Sequence, residues 1–378
     1  MTLQAALPRE MYVDPSAWQQ ERERVLLREW TCVGRRRDLG LDNPERVAIV
    51  EVLGESLLIA SDPQGALHAS YNVCRHRGSQ LFPTPPGSAP QVCAVKSIRC
   101  PYHSWTYALD GSLLRAPHTE EGEVAASEFG LHPVGVEEWC GFVFVHLTPA
   151  QAVALSDTVG RATSTLANYD LSSLATGPTF DYDVAANWKV IAENYNECYH
   201  CGPVHPELSR LVPSFAGGGR ALDWDAGIPH REGAWTFTMT GTTDRAPLPG
   251  LDEHERSRHK GELVYPNLML SCSADHVAAF TLRPSAVDRT AIDCRLLFHP
   301  SELAKPSFDP SDAGDFWDMV NRQDWAICES VQRGMSSRAY THGWFAPMED
   351  DSADIRRWLL PRLETAGSPV EPAASTDD

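Results

Sequence analysis

Two short cysteine–histidine pairs carry the clearest chemistry in this chain: Cys74 with His76 in Cys-Arg-His-Arg-Gly, and Cys100 with His103 in Cys-Pro-Tyr-His-Ser-Trp. One pair is spaced C-x-H and the other C-x-x-H. Each stretch is short enough to form one tight loop, so its thiolate and imidazole can reach different metal ions of one cluster. That suits a [2Fe–2S] cluster with two thiolates on one iron and two imidazoles on the other. Neutral imidazoles in place of thiolates leave less negative charge to oppose an added electron, and so raise the cluster's potential. The other chemistry open to these residues is a structural Cys2His2 zinc site. Zinc sites favour C-x2–4-C and H-x3–5-H pairs, and neither the Arg-Gly after His76 nor the aromatic residues around His103 are needed to hold zinc.

A second constellation lies between Asn187 and His205. On a helix over 187–200, Glu197 and His200 are three apart and share a face. His200 and His205 are five apart, about 140° around an ideal helix. They converge on one metal only if the helix ends between them, and Gly202-Pro203 is the expected break. Two imidazoles with a carboxylate from elsewhere make the facial triad of a non-heme Fe(II) oxygenase, which leaves coordination positions open for oxygen. Asp315, Asp318, Asp324 and Glu329 are candidates for that carboxylate, and each can equally be one charge on a solvated helix face.

Other motifs carry less. Cys198 and Cys201 form a C-x-x-C that could be a redox pair or a zinc half-site. No second C-x-x-C exists and the pair lies inside the histidine motif, so packing thiols are expected. Gly217-Gly218-Gly219 lacks the G-x-G-x-x-G spacing of a dinucleotide fingerprint. His118, His132 and His146 are expected to be surface or core histidines. Trp235, Phe237, Tyr265, Tyr340 and Trp344 are expected to be mostly core, with some lining a substrate pocket.

The elements that must hold these residues fall into blocks. Asp14-Pro15-Ser16 opens an amphipathic helix over 14–30. Residues 31–150 read as short strands broken by turns, with examples at 47–53, 57–60 and 141–147, and both cluster loops fall in this block. From 151 to 364 the patterns mix, with helices over 187–200 and 312–335 and strands over 264–270, 278–283 and 291–298. The tail 365–378 is expected to be disordered. The chain has 378 residues, a formal net charge of −19 and ten cysteines spread along its length. The charge argues against a nucleic acid partner. No run approaches the apolar length of a membrane span, and the N-terminus lacks the plan of a signal peptide. Scattered cysteines imply reduced thiols and a cytoplasmic location.

The cluster motifs resemble the Rieske domain of Rieske non-heme iron oxygenases, the aromatic-ring-hydroxylating dioxygenase superfamily. Glu197, His200 and His205 match position for position the acidic residue, two positions, His, four positions, His motif of that family's α subunits. The resemblance runs from the N-terminal helix through the Gln-Asp-x-x-x-x-Glu-x-x-Gln-x-Gly of 323–334. It implies an α+β chain: an N-terminal helical segment (1–30), an all-β Rieske [2Fe–2S] domain (31–150), and a catalytic domain with a helix-covered antiparallel sheet (151–364). Cys74, His76, Cys100 and His103 would hold the cluster, and His200, His205 and Asp324 the mononuclear Fe(II). Glu197 would bridge His200 to His103 of a neighbouring subunit in a homotrimer.

The resemblance also implies a small-molecule substrate, O2, and electrons from a separate NAD(P)H-dependent reductase, since nothing in the chain resembles a flavin, nicotinamide or four-cysteine ferredoxin site. Glu197, where many members carry Asp, and the Glu-Cys-Tyr-His-Cys run resemble the branch acting on quaternary ammonium compounds: carnitine oxygenase, choline and glycine betaine monooxygenases, and stachydrine demethylase. A monooxygenase or N-demethylase of an N-methylated compound is therefore expected. Hydroxylation of an aromatic ring is the rival within the family, and an electron-transfer Rieske protein or a zinc-stabilised binding protein the rivals outside it. One departure is visible: the stretch from Arg77 to Arg99 is longer than usual and carries Phe82-Pro83-Thr84-Pro85-Pro86-Gly87, expected to be a surface loop.

Overall fold

The structure, a computed structural model, describes residues 3–85, 87, 89–120, 123–219 and 222–365. The tail over 366–378 lies outside them. The chain divides into two compact units, Leu27–Thr158 and a second made of Met1–Leu26 with Val159–Asp378.

The first unit is built on strands. Seven of them pair antiparallel in the order Thr31–Arg35, Phe142–His146, Pro133–Trp139, Leu67–Tyr71, Glu55–Ser61, Arg46–Val52, Gln91–Ala94. Side chains alternate across a strand, and here both faces are covered. Val47 and Ile49 enter one core with Leu58 and Ala60, while Ala48, Val50 and Val52 enter another with Leu57 and Ile59. This is why 47–53 reads as a continuous apolar run. The first of these cores also contains Cys74, Cys100, Trp105 and Tyr107. Cys74 follows the strand Leu67–Tyr71, while Tyr107 lies in a small sheet of Ile98–Arg99, Thr106–Tyr107 and Leu113–Arg115, whose first two strands are joined by the loop that carries Cys100 and Trp105. The described part of the Phe82–Gly87 stretch has neither helix nor strand, with Pro83, Pro85 and Gly87 exposed.

The second unit carries a six-stranded antiparallel sheet in the order Ala175–Val184, Arg289–Phe298, His276–Ala286, Leu268–Cys272, Arg258–Val264, Ile228–Pro229. The strand expected over 264–270 is instead the meeting of two: one ends at Val264, the chain turns through Tyr265-Pro266-Asn267, and the next begins at Leu268. Pro266 has no N–H to give a ladder. The last hairpin is longer than expected, its pairing running out to Ala286 opposite Arg289. The 25-residue helix Ser311–Met335 covers this sheet, packing on Ala175–Val184 and on the helix Trp188–Tyr195. Its buried positions, among them Ala313, Trp317, Val320, Asn321, Trp325, Cys328, Gln332 and Met335, recur every three or four residues and form one stripe.

The N-terminal helix is Pro15–Arg24, capped by Asp14, whose carboxylate accepts from Ser16 N at 2.7 Å. It is shorter than expected, because Val25 leaves helical geometry and a single 3₁₀ turn, Leu26–Arg28, follows. Its Glu21 and the Lys189 of Trp188–Tyr195 are fully buried and meet at 2.7 Å, and Trp188 Nε1 donates to the same carboxylate at 2.5 Å. Removing one partner of such a pair leaves an uncompensated buried charge, at a cost of about 3–5 kcal/mol. Nearby, Gln332 accepts from Asn187 N at 2.9 Å and donates to Tyr12 O at 3.0 Å. These contacts set the start of Trp188–Tyr195 against the long helix, two turns beyond Asp324. Among the described residues, no helix is long and apolar enough to cross a membrane.

Candidate metal centres

The two cysteine–histidine loops close in the same way. Cys74 N donates to Ser79 O at 2.9 Å and Gly78 N to Cys74 O at 3.0 Å, while Cys100 N donates to Trp105 O at 2.8 Å and Ser104 N to Cys100 O at 3.1 Å. Each loop needs a left-handed residue at its fifth position, Gly78 at φ 71° and Ser104 at φ 64°. Glycine adopts this freely. Ser104 is held there by Arg99 Nη2, which donates to its hydroxyl at 2.8 Å. The motif glycine after His76 and Arg77 therefore has a backbone reason, which zinc ligation alone would not require.

The loops set sulfur beside sulfur and ring beside ring. Cys74 and Cys100 are each 2% exposed and their thiols pair with one another. His76 and His103 lie at the surface, ring centroids 4.7 Å apart, with His76 stacked on Trp105 at 5.1 Å. One tetrahedral zinc would need all four donors within roughly 4 Å of each other. A buried thiol pair and an exposed imidazole pair fit the two ends of a two-iron cluster. Tyr107, not singled out from sequence, hydrogen-bonds through its hydroxyl with Cys74 Sγ at 3.3 Å and accepts from Arg75 N at 3.1 Å. Burial, then the bond to Cys74, push its pKa upward. Its position 33 residues beyond Cys74 offers no local signal.

In the second unit, the expected helix over 187–200 ends at Tyr195. Asn196 leaves it, its side-chain amide donating to Tyr265 OH and Asp351 O at 3.3 Å each. Glu197 to His200 form a turn rather than a helical face. Nor is Gly202-Pro203 the break between the histidines: both lie inside the short helix Cys201–Val204, with His200 at its N-cap and His205 at its C-cap. Proline is tolerated there because the first turn has no N–H to pair. The histidines converge because the chain bends on both sides of that single turn.

Among the described residues, His200, His205 and Asp324 bring one donor atom each to within 4.8 Å of the others. Asp324 Oδ1 stands 3.2 Å from His200 Nε2 and 2.8 Å from His205 Nε2. Both imidazoles therefore turn Nε2 to one point and Nδ1 away from it. His200 Nδ1 faces Glu197 Oε1 at 2.5 Å, and His205 Nδ1 faces Gln323 Oε1 at 2.8 Å. Glu197 Oε2 accepts from His200 N at 3.1 Å and also from Tyr199 N. Burial alone would lower the His200 pKa, but hydrogen bonds with Asp324, Cys201 and Glu197 push it up to about 12. Burial would raise Asp324, and its bonds to the two histidines hold it below the usual carboxylate range instead. These are the electrostatics of a site that favours a cation.

The other acidic candidates point elsewhere. Asp315 is exposed, Asp318 accepts from Tyr182 OH and Arg322 at 2.8 Å each, and Glu329 accepts from Ala185 N at 3.1 Å. Glu193, one turn before Glu197, is bonded to Tyr12 OH at 2.5 Å, and burial pushes its pKa up to about 8. Cys198 and Cys201 are buried free thiols. Gly218 and Gly219 pass so close to Tyr199 and Cys198 that a Cβ would lie 3.1 and 3.0 Å from them, so the glycine run packs against the metal-site turn. His118 is exposed and His146 is buried, bonded through its ring to Thr148 N. Trp344 is 57% exposed and Phe237 buried at 1%.

Residues 29–134 match the Rieske [2Fe–2S] domain, and residues 171–365, just over half of the chain, match the catalytic domain of the ring hydroxylating alpha subunit family. This chain belongs to the Rieske non-heme iron oxygenases. Its cofactors are a Rieske [2Fe–2S] cluster and a mononuclear non-heme iron, and it is an oxidoreductase. Among this oxygenase's relatives, the carnitine monooxygenase oxygenase subunit of Escherichia coli (strain K12) is 30% identical over 340 residues, 88% of this chain and 85% of the relative. The glycine betaine monooxygenase oxygenase subunit of Pseudomonas aeruginosa is 28% identical over 369 residues, 89% of this chain and 84% of the relative. A solved quaternary ammonium Rieske monooxygenase, described in terms of carnitine oxidation and inter-subunit electron transfer, shares the fold with a TM-score of 0.74 at 24% identity, covering 95% of this chain and 96% of its own.

Proposed function

We propose that this oxygenase hydroxylates a carbon bound to the nitrogen of an N-methylated cation, with Cys74, Cys100, His76 and His103 as cluster ligands, His200, His205 and Asp324 as iron ligands, and Glu197 as the link between the centres. The observation that carries the substrate class is the 30% identity, over most of both chains, to an enzyme named for carnitine. Local electrostatics support it. Glu349 is close enough to Glu197 and His200 to feel both, so Glu197, Asp324 and Glu349 surround the site with carboxylates.

When bound, the iron supplies open positions for oxygen and the cluster supplies electrons one at a time. The chain's own residues do the rest. Asp324 contributes the negative charge, Glu197 and Gln323 hold the two imidazoles with Nε2 inward, and Glu197 offers an acceptor toward His103 of a neighbouring subunit. Oε2 of Glu197 already takes two backbone N–H groups, so the spare lone pair is on Oε1, the same oxygen that holds His200. Electrons come from a separate NAD(P)H-dependent reductase, and the working form is a cytoplasmic homotrimer.

The ligand assignment has a spectroscopic test. His76→Cys or His103→Cys should lower the cluster potential by on the order of a hundred millivolts or more, toward the all-thiolate range, and change the Rieske electron paramagnetic resonance signal. An unaltered signal in either variant removes that histidine from the ligand set. The substrate reading is tested by supplying choline, carnitine, glycine betaine and proline betaine with O2 and a surrogate reductase. Hydroxylation beside nitrogen gives a hemiaminal that splits to an amine and an aldehyde, so formaldehyde or trimethylamine should appear. Oxidation of aromatic acids with all four cations inert would overturn the reading.

A further inference from the structure

The two imidazoles of the triad are held by different kinds of acceptor. His200 rests on a carboxylate, Glu197, but His205 rests on an amide, Gln323, at 2.8 Å. His205 is 1% exposed, so the protein rather than bulk water sets its proton. The orientation of an amide has to be read from its neighbours, and here they decide it. Gln323 Nε2 stands 3.4 Å from Glu207 Oε2, and Glu207 Oε1 accepts from Arg210 Nη2 at 3.2 Å. A carboxylate paired with a guanidinium offers acceptors, so the NH2 end of Gln323 faces Glu207 and its carbonyl oxygen faces His205. A carbonyl can only accept, so His205 Nδ1 carries a proton toward Gln323, and Nε2, turned to Asp324 Oδ1 at 2.8 Å, is the nitrogen placed to take the metal.

We infer that Gln323 is a positioning residue for the iron, fixing the tautomer and ring plane of His205, and that Glu207 sets the sense of the Gln323 amide. This rests on the reading of His200, His205 and Asp324 as the iron site. Outer-shell partners of this kind typically contribute about 10–100-fold to metal affinity. Gln323 immediately precedes Asp324, so the same turn of the long helix supplies one ligand and orients another.

The test uses the full-length protein with its cluster loaded and the mononuclear site depleted of iron. Anaerobic Fe(II) and Co(II) affinities are measured by chelator competition, the Co(II) ligand-field spectrum is recorded, and cluster absorbance reports folding. Gln323→Leu should bind either metal about 10–100-fold more weakly with a shifted Co(II) spectrum. Gln323→Glu keeps an acceptor and should bind at least as tightly as the unaltered protein. Glu207→Ala frees the amide to turn over and should fall between them. If Gln323→Leu does not retain the cluster, Gln323→Met, of nearly the same length and without the acceptor, replaces it. Unchanged affinity and spectrum in Gln323→Leu or Gln323→Met overturn the inference. So does equal weakening in Gln323→Glu, which would mean packing rather than the acceptor matters. His205→Ala separates the two levels: if it binds as tightly as the unaltered protein, the iron-site reading fails and the inference with it.

Discussion

Asp324→Ala should abolish oxygenation and empty the mononuclear site while the visible absorbance of the cluster persists. Asp324 Oδ1 is the atom on which His200 and His205 both converge, at 3.2 and 2.8 Å, and it is the anionic member of the set. Two neutral imidazoles hold Fe(II) poorly by themselves. The loss in turnover should exceed about 100-fold, beyond the range expected for an outer-shell partner. Iron analysis beside cluster absorbance reads both centres in one sample, with two irons remaining of three. Full activity and iron content in Asp324→Ala would place the carboxylate elsewhere, but Asp318 is engaged with Tyr182 and Arg322, which leaves it poorly placed to take over.

Glu197→Gln should leave the cluster intact and slow its oxidation in a single turnover of the pre-reduced enzyme by about tenfold or more. The carboxylate has three donors to satisfy before any bridge: His200 Nδ1 on one oxygen, and the backbone N–H groups of Tyr199 and His200 on the other. An amide has one accepting end. If its oxygen stays with the backbone, its NH2 meets His200 Nδ1 and drives the proton to Nε2, the atom meant for iron. Turned the other way, two donors face the NH2, at a cost of about 1–3 kcal/mol for unpaired groups. The first arrangement removes the spare lone pair on Oε1, and the second keeps an oxygen there but sets the NH2 against two backbone donors, which displaces the side chain from the link. Ferrous iron should therefore be saturating in the assay, so that a slow reaction reports the link and not an empty site. Glu197→Asp keeps both oxygens and should retain more activity, on a shorter arm. Normal cluster oxidation in Glu197→Gln would show that Glu197 is not the link. Glu193 is the neighbouring carboxylate, but it is turned toward Tyr12.

What could be read from sequence is what short-range geometry decides. A cysteine and a histidine two or three residues apart must share a loop, so Cys74 with His76 and Cys100 with His103 announce paired ligands, and the glycine after Arg77 announces the left-handed turn that closes one loop. Glu197 reaches His200 in a turn as it would on a helix, because three residues of curled backbone bring the side chains together in both. The long helix is legible for the same reason, its period recurring every few residues, and the strands as short apolar runs bounded by turns.

Distant partners decide the rest. The helix after Asn187 stops at Tyr195 where Asn196 finds Tyr265 OH and Asp351 O, neither near it in sequence. The spacing of His200 and His205 left the site of the bend open, and the structure puts it on both sides of Cys201–Val204. No local rule separates Asp324 from Asp315, Asp318 and Glu329 on one acidic helix. Residues 119 apart in sequence meet only because that helix docks on the sheet along its apolar stripe with Gln332 fixed to Asn187. Gln323 gains its role by the same docking. Chain connectivity determines which residues of a loop can share a metal, and the burial of whole faces determines which loops and helices meet.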